Sequence, residues 1–178
     1  MSPEEKADLL GERLLGAVPE VARFLLEGVG GETVVRLSDK NLQQLLIELF
    51  VFYMHLLDRM ALAELGVDGR EIFCDRLIVN VANSLVLRLH KSISSVDFVA
   101  TFKDTYNQRQ VQYAGYRALF PADSEPANGT LVWEVSKILL ALTGSSNPVR
   151  LSEIVLAVTY SHKLMMVDSL EAEVTLRS

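Results

Sequence analysis

KNLQQLLIELFVFYMHLLDRMALAELG, residues 40–66, is the stretch whose reading decides the fold. With Glu48 set at zero and 100° added per residue, Asn41, Gln44, His55 and Arg59 fall within about 40° of it on one stripe. Phe52 and Leu62 are the apolar members of that stripe. Leu45, Leu46, Ile47, Leu49, Phe50, Val51, Tyr53, Met54, Leu56, Leu57, Met60 and Ala61 cover nearly every other direction. A helix apolar through so wide an arc has to be buried on most sides. Residues 40–65 are therefore expected to be the central helix of the fold. Two readings of the polar stripe stand side by side. It is the one wetted edge of a core helix, or it faces an internal cleft or a partner, where Glu48, His55 and Arg59 would need hydrogen-bonded or ionic partners.

Outward from this stretch, the chain reads as helix after helix. Toward the N-terminus, Ser2-Pro3-Glu4-Glu5 is a helix start: a Ser cap, Pro at the first helical position and acids in the first turn. Leu9, Leu10, Leu14, Val18 and Val21 continue it, with a break or kink expected near Pro19 and an end at Gly28 to Gly31. TVVRL, 33–37, is a candidate extended segment, and Ser38 caps the central helix. Toward the C-terminus, Gly66 to Gly69 is expected to turn the chain into a third helix over 70–90, antiparallel to the central one. A fourth helix is expected over 96–119, then a polar loop with two prolines over 121–128, a helix over 130–142 stopped by Gly144, and a last helix that Asn147-Pro148 starts and that ends near Met166. The fold class is all-α: a single-domain bundle (1–178) of about five to seven helices around residues 40–65, with 168–178 a possible extended or frayed C-terminal arm.

Bulk properties narrow the classes of function. The 178 residues carry a net charge of −6, and an acidic chain argues against nucleic acid as a partner, since phosphate binding wants clustered Lys and Arg. The same balance disfavours anionic membrane surfaces. The longest apolar run, 45–57, is 13 residues and contains Glu48 and His55, too short to cross a bilayer. MSPEEKADLL lacks the pattern of a signal peptide, so the expected compartment is the cytoplasm. A lone cysteine, Cys74, excludes an intramolecular disulfide and a Cys-based zinc site. Mean hydropathy of +0.23 is high for a soluble chain and points to apolar surface covered by a second copy, hence a homodimer, or by another protein partner.

A second constellation lies on the fourth helix. Val99, Phe102, Tyr106, Arg109, Tyr113, Tyr116 and Phe120 recur at spacings 3, 4, 3, 4, 3, 4, a largely aromatic stripe with an arginine in it. This is a packing face, or it lines a pocket or interface. In both cases a part-buried Arg109 needs an acid, with Glu48 or Asp58 the expected one. Known chemistry finds little purchase. Glu-x-x-His pairs, H-E-x-x-H, G-x-S-x-G and phosphate loops are all missing from the sequence. His55-x-x-Asp58 could offer two metal ligands only with help from His90 or His162. The expected protein is a cytoplasmic helical interaction or regulatory protein without catalytic chemistry or cofactor, with enzymatic activity left undecided. The alternative is a small-ligand- or metal-binding bundle in which Glu48, His55, Asp58, Arg59, Tyr106, Arg109 and Tyr113 line an internal site.

Overall fold

The computed structural model describes residues 1–27, 36–88, 95–116, 118–121 and 126–177, with backbone alone for 88, 95–97 and 162–174. The fold is all-α: α1 (Pro3–Glu27), α2 (Asp39–Arg88), α3 (Ser95–Tyr113), α4 (Leu131–Leu142) and α5 (Pro148–Arg177), with no strand among the described residues. The extended segment expected over 33–37 falls mostly on residues 33–35, outside the described residues; Arg36 and Leu37 belong to no helix.

α1 opens on a capping box. Ser2 Oγ accepts from the Glu5 N–H at 3.2 Å and Glu5 Oε2 accepts from Ser2 N at 2.7 Å, so two otherwise unpaired donors are satisfied reciprocally. The break expected at Pro19 does not occur. The helix runs through Pro19, which lies on the exposed face, while Leu14, Leu15, Val18, Val21 and Ala22 carry one buried stripe across it.

Ser38 caps α2, its Oγ accepting from the Asn41 N–H at 3.3 Å. The element breaks at a single residue, Gly66 (φ 70°, ψ −173°), a backbone region open essentially to glycine alone. The turn expected over Gly66 to Gly69 is thus shorter than its glycines suggested, with helix resuming at Val67. Two side-chain contacts fix the geometry across the break. Arg70 reaches Asp58, and Cys74 Sγ lies 3.1 Å from Asp58 Oδ1. Sixteen helical residues would hold positions 58 and 74 about 24 Å apart in a straight rod, so the arms 39–65 and 67–88 fold back antiparallel.

The first arm is enclosed: every residue from 47 to 58 is buried. α3 packs across it, joined through Glu48–Arg109 and His55–Gln110. α4 reaches it where Asn41 Nδ2 donates to the Leu142 carbonyl at 3.0 Å, and α5 where Tyr53 and Ser161 hydroxyls meet at 2.8 Å. α1 covers the second arm, Gly11 lying against Leu77 and Val81, with Asp8 accepting from Arg76 and Asn80.

α3 stops at Tyr113, six residues before the end expected at 119. The chain turns at Ala114 and Gly115 so that Phe120 packs edge-on against Phe52, ring centroids 6.4 Å apart. The carbonyls of Ala118 and Leu119 then accept the first N–H groups of α4, from Leu131 and Val132, each at 3.0 Å. Thr130 completes that cap through Trp133 N at 3.3 Å. α5, which Asn147 caps through Val149 N at 2.9 Å, does not end near Met166. The segment read as a frayed or extended arm is helical through Arg177, with Thr175 and Leu176 buried.

Candidate functional site

The two stripes singled out in the sequence meet, and they form a polar seam between α3 and the α2 hairpin. The stripe on the first arm is covered by α3 and the segment after it, so Glu48 and His55 are buried and not wetted. At one end of the seam Arg109 grips Glu48 with two bonds, Nε to Oε2 at 2.8 Å and Nη2 to Oε1 at 2.7 Å. Gln44 Nε2 adds a third at 3.2 Å, and Arg109 Nη1 donates to Gln112 Oε1 at 2.6 Å. The planar fork of a guanidinium suits this bidentate grip. The bond to Glu48 holds the Arg109 pKa above its ordinary value, against an opposing effect of burial.

In the middle lies His55. Its Nδ1 donates to Gln110 Oε1 at 2.5 Å, and the ring stands edge-on to Tyr113 with centroids 5.4 Å apart. A proton on Nδ1 leaves Nε2 as the lone-pair nitrogen of a neutral ring. His55 Nε2, Gln110 Nε2 and the Tyr113 hydroxyl are all buried without a protein partner. Burial lowers the His55 pKa, an effect that the Gln110 bond partly opposes. It pushes the Tyr113 hydroxyl well above its usual range, with Glu48 adding to the rise.

At the other end Asp58 accepts from Arg70 twice, Nε to Oδ1 at 2.5 Å and Nη2 to Oδ2 at 2.8 Å, and from the Cys74 thiol at 3.1 Å. The Tyr106 hydroxyl lies near Cys74 in turn. Burial first, then Asp58, pushes the thiol up to about 12, so the thiolate that would react is strongly disfavoured. Arg59 caps the seam from the edge, Nη2 donating to the Tyr116 carbonyl at 3.0 Å.

All seven residues proposed from sequence thus lie along one interface: Glu48 with Arg109 at one end, Asp58 and Tyr106 at the other, His55 and Tyr113 between them and Arg59 at the edge. Sequence reasoning passed over Arg70, Gln110 and Gln112, and left Gln44, a member of the polar stripe, and Cys74 off the candidate site. Arg70 belongs to the far arm of the hairpin, and only the sharpness of the turn at Gly66 brings it back to Asp58. The glutamines carry no chemical signature, though Gln110 beside Arg109 shares the face toward α2.

Among the described residues no group of three His, Cys, Asp or Glu is placed to hold a metal ion, and no helix is long and apolar enough to cross a membrane. The side chain of His162 and all of His90 lie outside the described residues. Beside the seam, an open groove of about 360 Å³ between the second arm and α3 is lined by Asp75, Ile78, Val79, Lys103 and Asn107. The chain matches no protein family, no curated protein sequence and no solved structure.

Proposed function

We propose that this is a cytoplasmic interaction or regulatory protein, without catalytic chemistry, that works as a homodimer paired through the outer face of α5. One observation carries the reading. Val149, Leu156 and Tyr160 are 64%, 65% and 58% exposed. At 100° per residue they fall within about 40° of each other. Among the described residues no other helix sets three apolar side chains, each more than half exposed, on one face. Such a stripe is unfavourable in water and self-complementary across a two-fold axis, where α5 would meet α5 of a second copy. Phe24 lies at the same end of the molecule, next to the Leu25 carbonyl that Arg150 holds, and is itself 39% exposed. The apolar excess of the sequence fits the same reading.

The polar seam supports it from the other side. Each oxygen of Glu48 and Asp58 already accepts at least one donor, which suits a seam that fastens α3 to α2 better than one awaiting a substrate. A second reading, a small-ligand bundle, draws on the three buried polar atoms of His55, Gln110 and Tyr113 that have no protein partner. Sedimentation across a concentration series separates the two. The first reading expects a two-chain species that Leu156→Glu converts to a single chain at unchanged helicity. A wild-type protein that sediments as a single chain at every concentration would refute it.

A further inference from the structure

The geometry points to His55 as a proton-sensitive clasp: its neutral ring, sealed with Gln110 and Tyr113 between α2 and α3, fastens α3, and its protonation releases it. The inference concerns a different face from the α5 stripe and stands whether or not the chain dimerises.

The argument begins with what surrounds the ring. On its own arm stand Glu48, Asp58 and Arg59; on the second arm, Arg70 and Cys74; on α3, Tyr106, Arg109 and Tyr113; beyond α3, Tyr116. Three guanidiniums face two carboxylates, and both carboxylates are spent. Arg109 and Gln44 hold Glu48, and Arg70 and Cys74 hold Asp58. An imidazolium formed here would find no free carboxylate, would add charge to a seam already one cation in excess, and would do so while 3% exposed. A buried charge without a partner is strongly unfavourable. The neutral ring suffers none of this. Its Nδ1–H has the Gln110 oxygen, and the ring packs edge-on against Tyr113.

The chain can relieve an imidazolium only by wetting it, and the element that covers it is α3. His55 meets α3 through Gln110 and Tyr113, one helical turn along α3 from each other and next to the Arg109 grip. Water reaching Nε2 therefore has to part α3 from the first arm. The direction follows from linkage. With the docked pKa lowered from 6.5, the undocked chain binds a proton that the docked chain refuses in the window between the two values. Docking is at full strength above pH 6.5 and weakens as pH falls through that window. The lowered carboxyls of Glu4, Asp8 and Glu64 act in the same sense but only from about pH 4.5 downward, so the two effects separate on the pH axis.

Two measurements test the clasp. In His90→Gln/His162→Gln, His55 is the only histidine, and its imidazole titration is read by NMR without assignment. The expected midpoint lies below 6.5; a midpoint at or above 6.5 overturns the proposal. Hydrogen exchange of wild type, corrected for intrinsic amide chemistry, then reads opening. The amides of 98–113 are expected to open up to about tenfold more for each pH unit between 6.5 and the docked midpoint. His55→Gln, which keeps hydrogen bonding and cannot titrate, is expected to abolish that rise. Equal exchange across the window, or the same rise in His55→Gln, overturns the proposal. The titration needs no substitution at residue 55, so the test survives a His55→Gln chain that does not fold.

Discussion

Arg109 and Glu48 show how one pair can tie α3 to the first arm of α2. Periodicity alone led to the expectation that a part-buried Arg109 in an aromatic stripe pairs with Glu48 or Asp58, and Glu48 is the one it reaches. Their bidentate bond at 2.7 and 2.8 Å then ties residues 61 positions apart. Arg109→Ala leaves Glu48 buried with no cation and only the Gln44 bond, and should lower stability by about 2–5 kcal/mol in chemical denaturation. Pairing it with Glu48→Met should recover a good part of that loss, because the unpaired charge causes more of the damage than the missing bond. A double variant no better than the single one would mean that the pair is worth far more than its desolvation. Asp58 was legible only in half: its place on the central stretch was plain, while Arg70 and Cys74 reach it by a fold-back that no periodicity encodes.

The hinge of that fold-back is Gly66. Nothing lies within 4 Å of a Cβ built there, so Gly66→Ala meets no clash, yet at φ 70° and ψ −173° it strains the backbone itself. The expected loss is about 1–3 kcal/mol, read as a fall in thermal midpoint, and full stability in Gly66→Ala would show that the arms can turn without it. α1 and α5 carry the other device at this level, since each lends a cation to the last turn of its neighbour. Lys6 Nζ donates to the Leu176 carbonyl at 2.6 Å, and Arg150 donates to the Leu25 carbonyl. Carbonyls at a helix end have no partner within the helix and favour cations. Lys6→Met should cost about 1–2 kcal/mol and speed amide exchange in the last turn of α5; unchanged exchange there would show that the cap does nothing. Helix starts were legible in Ser2, Ser38, Thr130 and Asn147 because capping chemistry is local. Ends were not. α3 stops early because Phe120 and the carbonyls of Ala118 and Leu119 have work elsewhere, and α5 continues past Met166 because burial at Leu176 and the Lys6 bond hold its end.

Taken together, the five elements bury the largely apolar run 47–58 and, among the described residues, leave one exposed apolar stripe of three on the outside, Val149, Leu156 and Tyr160. The sequence announced the first through a helix apolar on nearly every side. It announced the second only as an excess of hydrophobic residues with no address, since which face of α5 stays bare depends on what α1 and α4 cover. A stable dimer buries on the order of 800 Å² per partner, more than three side chains supply, so the pairing proposed here has to recruit surface beside the stripe. Native mass spectrometry of the protein as purified from cells reports subunit number and any retained molecule together. A homodimer built on α5 predicts a two-chain mass with nothing added, and a one-chain mass for Leu156→Glu. A one-chain mass for the wild type, or an added mass that disappears in Arg109→Ala, would contradict it and turn attention to the seam between α2 and α3 as a binding site.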